Sequence, residues 1–176
     1  GQIQGFFDMP VDNLFTTPLF SKYIKKKLKS KNLLCVSPDV GGVQRTRGLA
    51  TKIKADLAII DKRRPTPGQS KVMNIIGNVK GKTCIIVDDI IDSGGTIVSA
   101  VDALKKEGAL EVYVFITHAV LSGPAVSKIQ KSKIKKLIIT DTIDNSGKIK
   151  NNSKIEVLSI APLMAEAIKR ISNSTS

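Results

Sequence analysis

Tryptophan is absent, and Phe and Tyr bring the aromatic share only to 4%. A chain so poor in flat side chains offers few platforms on which unpaired bases could stack. Cysteine is scarce too. Cys35 and Cys84 each sit inside an apolar run (LLCV and TCIIV), which reads as reduced thiols in core strands and a reducing, cytoplasmic setting. Sequence leaves a bridge between them open, but nothing suggests one. No run of about 18 apolar residues occurs, so no membrane-crossing helix is expected, nor is there a secretory signal. The chain opens on GQIQGFF without a Met. That start leads us to expect a piece of something longer.

Acidic residues are outnumbered: 28 Lys and Arg against 15 Asp and Glu give a net charge of +13. Such an excess invites a nucleic-acid reading. Much of it, however, lies in two lysine runs, Lys22 to Lys31 and Lys128 to Lys136, which look like solvated helix faces and helix ends. A general attraction for polyphosphates fits better than dedicated nucleic-acid binding.

The length of 176 residues suits one domain. Strands and helices alternate, with no internal repeat. Thr17-Pro18 reads as an N-cap with proline at the first helical position, and Phe20, Ile24 and Leu28 follow on one helical face. Leu33 to Val36 reads as a short strand, then Gly41-Gly42 leads into a helix carrying Leu49, Ala50 and Ile53. Leu57 to Ile60 is a further strand, and Val72 to Ile76 a possible extra one. Thr83 to Val87, apolar on both faces, belongs in a buried parallel sheet. A helix is expected over Gly95 to Glu107, a strand over Val112 to Ile116, and a helix over Pro124 to Ile129. Strands at Leu137 to Ile139 and Ile155 to Leu158 precede a last helix with Met164, Ala167, Ile168 and Ile171. These units predict an α/β fold, a mostly parallel sheet with helices on both faces. Ligands then bind beyond the carboxyl ends of the strands. Three polar segments, SPDVGG, DKRRP and DDIIDSGGT, follow strand ends and should meet in one crevice.

The strongest chemical signal is CIIVDDIIDSGGT, Cys84 to Thr96. A buried strand delivers Asp88 and Asp89, and Asp92-Ser93-Gly94-Gly95-Thr96 then opens a helix. Backbone N–H groups at a helix start attract phosphate, and the glycines let the backbone come close to it. Ser93 and Thr96 add hydroxyl donors. Paired carboxylates would repel a phosphate but accept hydrogen bonds from sugar hydroxyls. The arrangement suits a sugar phosphate, its phosphate in the loop and its ribose diol near Asp88 and Asp89. The plainer alternative is a strand–turn–helix junction capped by Asp92 or Ser93. Adjacent carboxylates at a strand end are costly unless used, which favours the functional reading.

Two other segments have their own logic. In DKRRP, Asp61 to Pro65, three consecutive cations repel one another, so the loop stays solvated until an anion arrives, and can then carry cations to a polyphosphate. An ordinary basic surface loop is the alternative. Ser37-Pro38-Asp39, taken alone, is a turn. His118 sits at a strand end, where structural packing is a commoner role than ligand contact.

CIIVDDIIDSGGT closely resembles the ribose-phosphate binding motif of the type I phosphoribosyltransferase fold. DKRRP and VSPDVGGVQR (Val36 to Arg45) resemble the ribose-phosphate diphosphokinases specifically, as do GQIQGFFDMPVDNL, THAVLSGPAV and LMAEAIKRIS. The resemblance runs in register over nearly the whole chain and is to the C-terminal half of that family. It implies transfer of the β,γ-diphosphoryl group of Mg-ATP to the 1-hydroxyl of ribose 5-phosphate. It further implies Lys62 and Arg64 as catalytic cations, Asp39 as a ligand of Mg2+, and a homo-hexamer for the intact enzyme. In that family the upstream half supplies much of the adenine site and a metal-binding histidine, so this chain is expected to keep the sugar-phosphate site with an incomplete ATP site. The family's aromatic C-terminal tail is replaced by NSTS. The rivals are a salvage phosphoribosyltransferase, a non-catalytic regulatory subunit and a nucleic-acid binder. DKRRP and SPDVGG argue against the first, and the intact Asp39, Lys62, Arg64, Asp88 and Asp92 against the second.

Overall fold

In the computed structural model, residues 2–63 and 72–173 are described. After a 3₁₀ turn at Gln2–Phe6 the elements run α1 (Thr17–Lys27), β1 (Leu33–Ser37), α2 (Val43–Ile53), β2 (Asp56–Arg63), β3 (Val72–Ile76), β4 (Thr83–Ile91) and α3 (Gly95–Lys106). There follow β5 (Glu111–Ala119), α4 (Ala125–Lys131), β6 (Lys136–Thr140), α5 (Ser146–Ile149), β7 (Ile155–Leu158) and α6 (Ala161–Ser172).

The strands form one sheet in the order β3-β2-β1-β4-β5-β6-β7. All neighbours are parallel except β3, which runs antiparallel to β2 at the edge. The expected α/β architecture is therefore present, and the extra strand at Val72 to Ile76 returns beside β2. The central strand β4 shows why a continuous apolar run belongs here. Its alternate residues serve opposite faces: Cys84 and Ile86 join the cluster under α3 and α4, while Ile85 and Val87 join the one under α1 and α2. Both faces of a doubly covered strand must be apolar.

Three of the seven aromatic rings meet on one face of the sheet. Phe115 on β5 is fully buried. It meets Phe20 edge-on at 5.3 Å and Tyr23 at 5.8 Å, the arrangement that ring quadrupoles favour. Both cysteines are buried and free. Cys35 belongs to the α1/α2 face and Cys84 to the α3/α4 face, so the sheet separates them and a bridge is out of reach. Burial pushes their thiols up, to about 12 for Cys35 and about 11 for Cys84.

Several local expectations are corrected. The N-cap of α1 is Thr16, not Thr17, and its hydroxyl pairs with the Thr117 hydroxyl at 3.0 Å instead of capping the helix. A tertiary partner has outcompeted the local one. Pro124 precedes α4 as its N-cap. The last helix, α6, buries no residue, and Met164, Ile168 and Ile171 on it are exposed. The four-residue α5 was not foreseen.

Removing the ring that organises the α1/α2 face should be expensive. Phe115→Ala is expected to destabilise the fold by about 3–5 kcal/mol, read as a fall in the urea midpoint. A loss below about 1 kcal/mol would show that Phe20 and Tyr23 can close over the gap.

Candidate functional site

The sheet register brings the polar segments together. Ser37 on β1 pairs with Ile59 on β2, and Val36 pairs with Ile86 on β4. Asp61 and Lys62 lie in the last residues of β2, Asp88 and Asp89 near the end of β4, and Asp39 two residues past the end of β1. Lys62 is half-buried. Arg64 lies outside the described residues.

Asp88 and Asp89 are held by a residue to which sequence reasoning gave no role. Arg45 Nη1 donates to Asp88 Oδ1 at 2.6 Å, and Nη2 donates to Asp89 Oδ2 at 2.8 Å. One guanidinium thus forks across two neighbouring carboxylates, a geometry that only arginine supplies. Asp88 Oδ1 also accepts the Asp89 backbone N–H at 2.9 Å. Burial raises the Asp88 carboxyl above the usual range, and the Asp89 charge adds to the rise, while the Asp89 amide and Arg45 oppose it. Asp89 is more open, its side chain 56% exposed against 19% for Asp88.

Arg45 stands in the first turn of α2, which carries no acidic residue there. A cation at the positive end of a helix is electrostatically misplaced. That misplacement was the signal available in VSPDVGGVQR. Arg45 is tolerated because the acid pair faces it.

The β1–α2 turn is built tightly around the same group. Ser37 Oγ donates to the Asp39 carbonyl at 2.6 Å, and the Gly42 N–H donates to Asp39 Oδ1 at 2.9 Å. Asp39 is therefore a turn residue, as its plainer reading held. Its Oδ2 takes no hydrogen bond among the described residues, and Asp39 is exposed. A Cβ at Gly42 would lie 3.0 Å from Ser37 Oγ, 3.5 Å from Asp39 Oδ1 and 3.8 Å from Arg45 Nη1. Turn, carboxylate and guanidinium share one small space. No group of three or more His, Cys, Asp or Glu side chains gathers as a metal cage among the described residues. The donor chemistry still fits magnesium, which takes one or two carboxylates and completes its shell with water and phosphate oxygens.

The glycine loop lies at the end of β4. Gly94, with φ +75, occupies the left-handed region and is the N-cap of α3. That backbone, rather than lack of room, demands glycine: a Cβ would be 3.9 Å from its nearest neighbour, Ala125 Cβ. The capping alternative is not realised. Neither Asp92 nor Ser93 caps α3, and no acid sits in its first turn. The first N–H groups of the helix are left without a side-chain acceptor. Asp92, Ser93 and Thr96 are exposed around them. Lys128, counted from sequence as part of a solvated run, reaches the loop, with Nζ 3.5 Å from the Ser93 carbonyl.

His118 lines a hollow of about 380 Å³ with Arg45, Asp89, Ile90 and the segment Asn13 to Thr17. Its Nδ1 is 3.0 Å from the Thr142 hydroxyl, which donates onward to the Thr117 carbonyl at 2.9 Å. The lone histidine is thus tied down beside the site rather than packed in the core. A larger hollow of about 850 Å³ lies between β3 and α3 and contains none of these residues.

Comparison with known proteins places the molecule first in a class and then in a family. The crystal structure of a purine phosphoribosyltransferase from Pyrococcus horikoshii Ot3 matches with a TM-score of 0.51 at 21% identity, over 61% of this chain and 73% of that one. The fold is that of the phosphoribosyltransferases. Residues 58–176 match the phosphoribosyl synthetase-associated domain, and the chain belongs to that family. It is 55% identical over 170 residues to the ribose-phosphate pyrophosphokinase of Bradyrhizobium diazoefficiens, covering 97% of this chain and 54% of that protein. The crystal structure of phosphoribosylpyrophosphate synthetase from Mycobacterium smegmatis matches with a TM-score of 0.88 at 38% identity, over 98% of this chain and 56% of that one. The chain therefore spans about half the length of the relatives it matches.

Gly42→Ala should crowd the Ser37 hydroxyl and the guanidinium without backbone strain, since φ there is −83. We expect a stability loss of about 1 kcal/mol in thermal denaturation. A gain in stability, as helix propensity alone would give, would show that the turn has slack.

Proposed function

We propose that this chain forms the ribose 5-phosphate half of a ribose-phosphate diphosphokinase site. The parent reaction moves the β,γ-diphosphoryl group of Mg-ATP to the 1-hydroxyl of ribose 5-phosphate, and AMP leaves. The observation that carries this reading is the opening of α3. It begins on a left-handed glycine with no side-chain cap and no acid in its first turn, at the end of the strand that presents Asp88 and Asp89. An uncapped helix mouth favours phosphate, and the acid pair favours hydroxyl donors. The two preferences side by side describe a phosphorylated sugar.

In-line attack at phosphorus leaves the protein mainly positioning and charge neutralisation to supply. The loop from Asp92 to Thr96 anchors the 5-phosphate, and Asp88 and Asp89 accept from the diol, so the sugar's 1-hydroxyl is held in one orientation. Asp39 would hold the magnesium that accompanies ATP, and the ion would there supply charge neutralisation of the triphosphate. Lys62, and Arg64 in the segment that follows, bring cations to the transferring group. The residues DKRRP and SPDVGG favour this reaction over base salvage, which needs no triphosphate organiser.

Calorimetric titration of ribose 5-phosphate should show one site, weakened at least about tenfold by Thr96→Val, the loss of a hydroxyl donor to a charged phosphate. No heat of binding in the unaltered chain would end the proposal. The affinity should also fall on acidification, because the ionised Asp88 is the acceptor. Since its folded pKa is raised, the fall should begin at a higher pH than an ordinary aspartate would give, and Asp88→Asn should flatten it. In a protein of the relatives' full length, Lys62→Ala should lower kcat far more than it raises KM. An equal loss in Lys131→Ala would remove the catalytic role.

A further inference from the structure

Arg45 has two claimants. Its guanidinium spans Asp88 and Asp89. It also stands 3.8 Å from the Cβ position of Gly42, beside the Asp39 turn where the proposed function places a polyphosphate. Asp88 Oδ1 carries two donors, Arg45 Nη1 and the Asp89 amide, so a sugar hydroxyl that bonds to this oxygen displaces the guanidinium. Arg45 cannot be left unpaired in the first turn of α2, where the helix dipole repels it.

We propose that Arg45 is a shared counter-ion that couples the two halves of the site. When a ribose diol takes over the acceptors of Asp88 and Asp89, the guanidinium is released to a polyphosphate at the β1–α2 turn. When the sugar leaves, it returns to the acid pair. The sugar thereby strengthens polyphosphate binding, and by linkage the polyphosphate strengthens sugar binding by the same factor. Arg45 is a positioning residue in this scheme, and its two arms matter separately. Losing either carboxylate, or the planar fork, weakens the exchange. The inference rests on the reading of Asp88 and Asp89 as diol acceptors.

The test is a two-ligand binding cycle on this chain. Inorganic tripolyphosphate with magnesium chloride is titrated calorimetrically with and without saturating ribose 5-phosphate, and then in the reverse order. The expected result is at least about fivefold tighter tripolyphosphate binding beside the sugar, with the same factor in reverse. Arg45→Gln should bring the factor to about one, and Arg45→Lys should restore charge without restoring the full factor. Lys131→Gln should leave it unchanged. If Arg45→Gln fails to fold, Asp89→Asn removes one arm and should reduce the factor on its own. A wild-type factor near one, or competition between the ligands, overturns the proposal while leaving sugar binding intact. So does absence of tripolyphosphate binding beside saturating sugar, or an unchanged factor in Arg45→Gln. Failure of ribose 5-phosphate to bind at all sinks the functional reading, and the coupling with it.

Discussion

Two carboxylates in succession at the end of a buried strand are the constraint around which the site is arranged. Burial disfavours ionisation of the Asp88 carboxyl, and the neighbouring Asp89 charge adds to the cost. The structure answers with one guanidinium across both. That answer fixes where α2 must begin, because Arg45 has to reach Asp88 from the first turn of that helix. It also fixes the Gly41-Gly42 turn, because a side chain at Gly42 would enter the space shared by Ser37, Asp39 and Arg45. The spacing from the Ser-Pro-Asp turn to Arg45 is thus set by a charge on another strand.

The sheet makes this economy possible. The order β2-β1-β4 places in space three strand ends that are well separated in sequence. Parallel pairing through β2, β1 and β4 points all three the same way, so the segments that follow open on one edge. The pairing register of β4 sets which of its apolar residues faces each side. Core packing and site geometry are therefore one constraint. Asp88 and Asp89 stand at their heights because Ile85 and Val87 must face α1 and α2, and Cys84 and Ile86 must face α3 and α4.

Much of the fold was legible because its signals are local or periodic. Thr83 to Val87 reads as a doubly buried strand from its apolar run, and Gly94-Gly95 marks a turn from composition alone. The glycine loop was legible for the same reason, since strand, acids, glycines and helix are contiguous. What escaped depends on partners far along the chain. Thr16 displaced Thr17 as N-cap, its hydroxyl engaged by Thr117 about a hundred residues away. Arg45 is adjacent to the acid pair only through the register of β1 and β4. Lys128 looked like one more solvated lysine until α4 was packed beside the loop. The exposed apolar face of α6 follows the periodicity that announces burial, yet nothing among the described residues covers it.

The net charge of +13 fits the same account. Excess lysine is a poor guide to fold, but it sets the field that an approaching anion meets. Lysines at the ends of α1 and α4 lie where the helix dipoles welcome them. Lys128 extends that field to the glycine loop. Arg45 is the exception, a cation at the wrong helix end, held there by two acids that are themselves costly to hold together. Each defect offsets the other. A ligand presenting hydroxyls to the acids and negative charge to the arginine would satisfy both groups better than they satisfy each other.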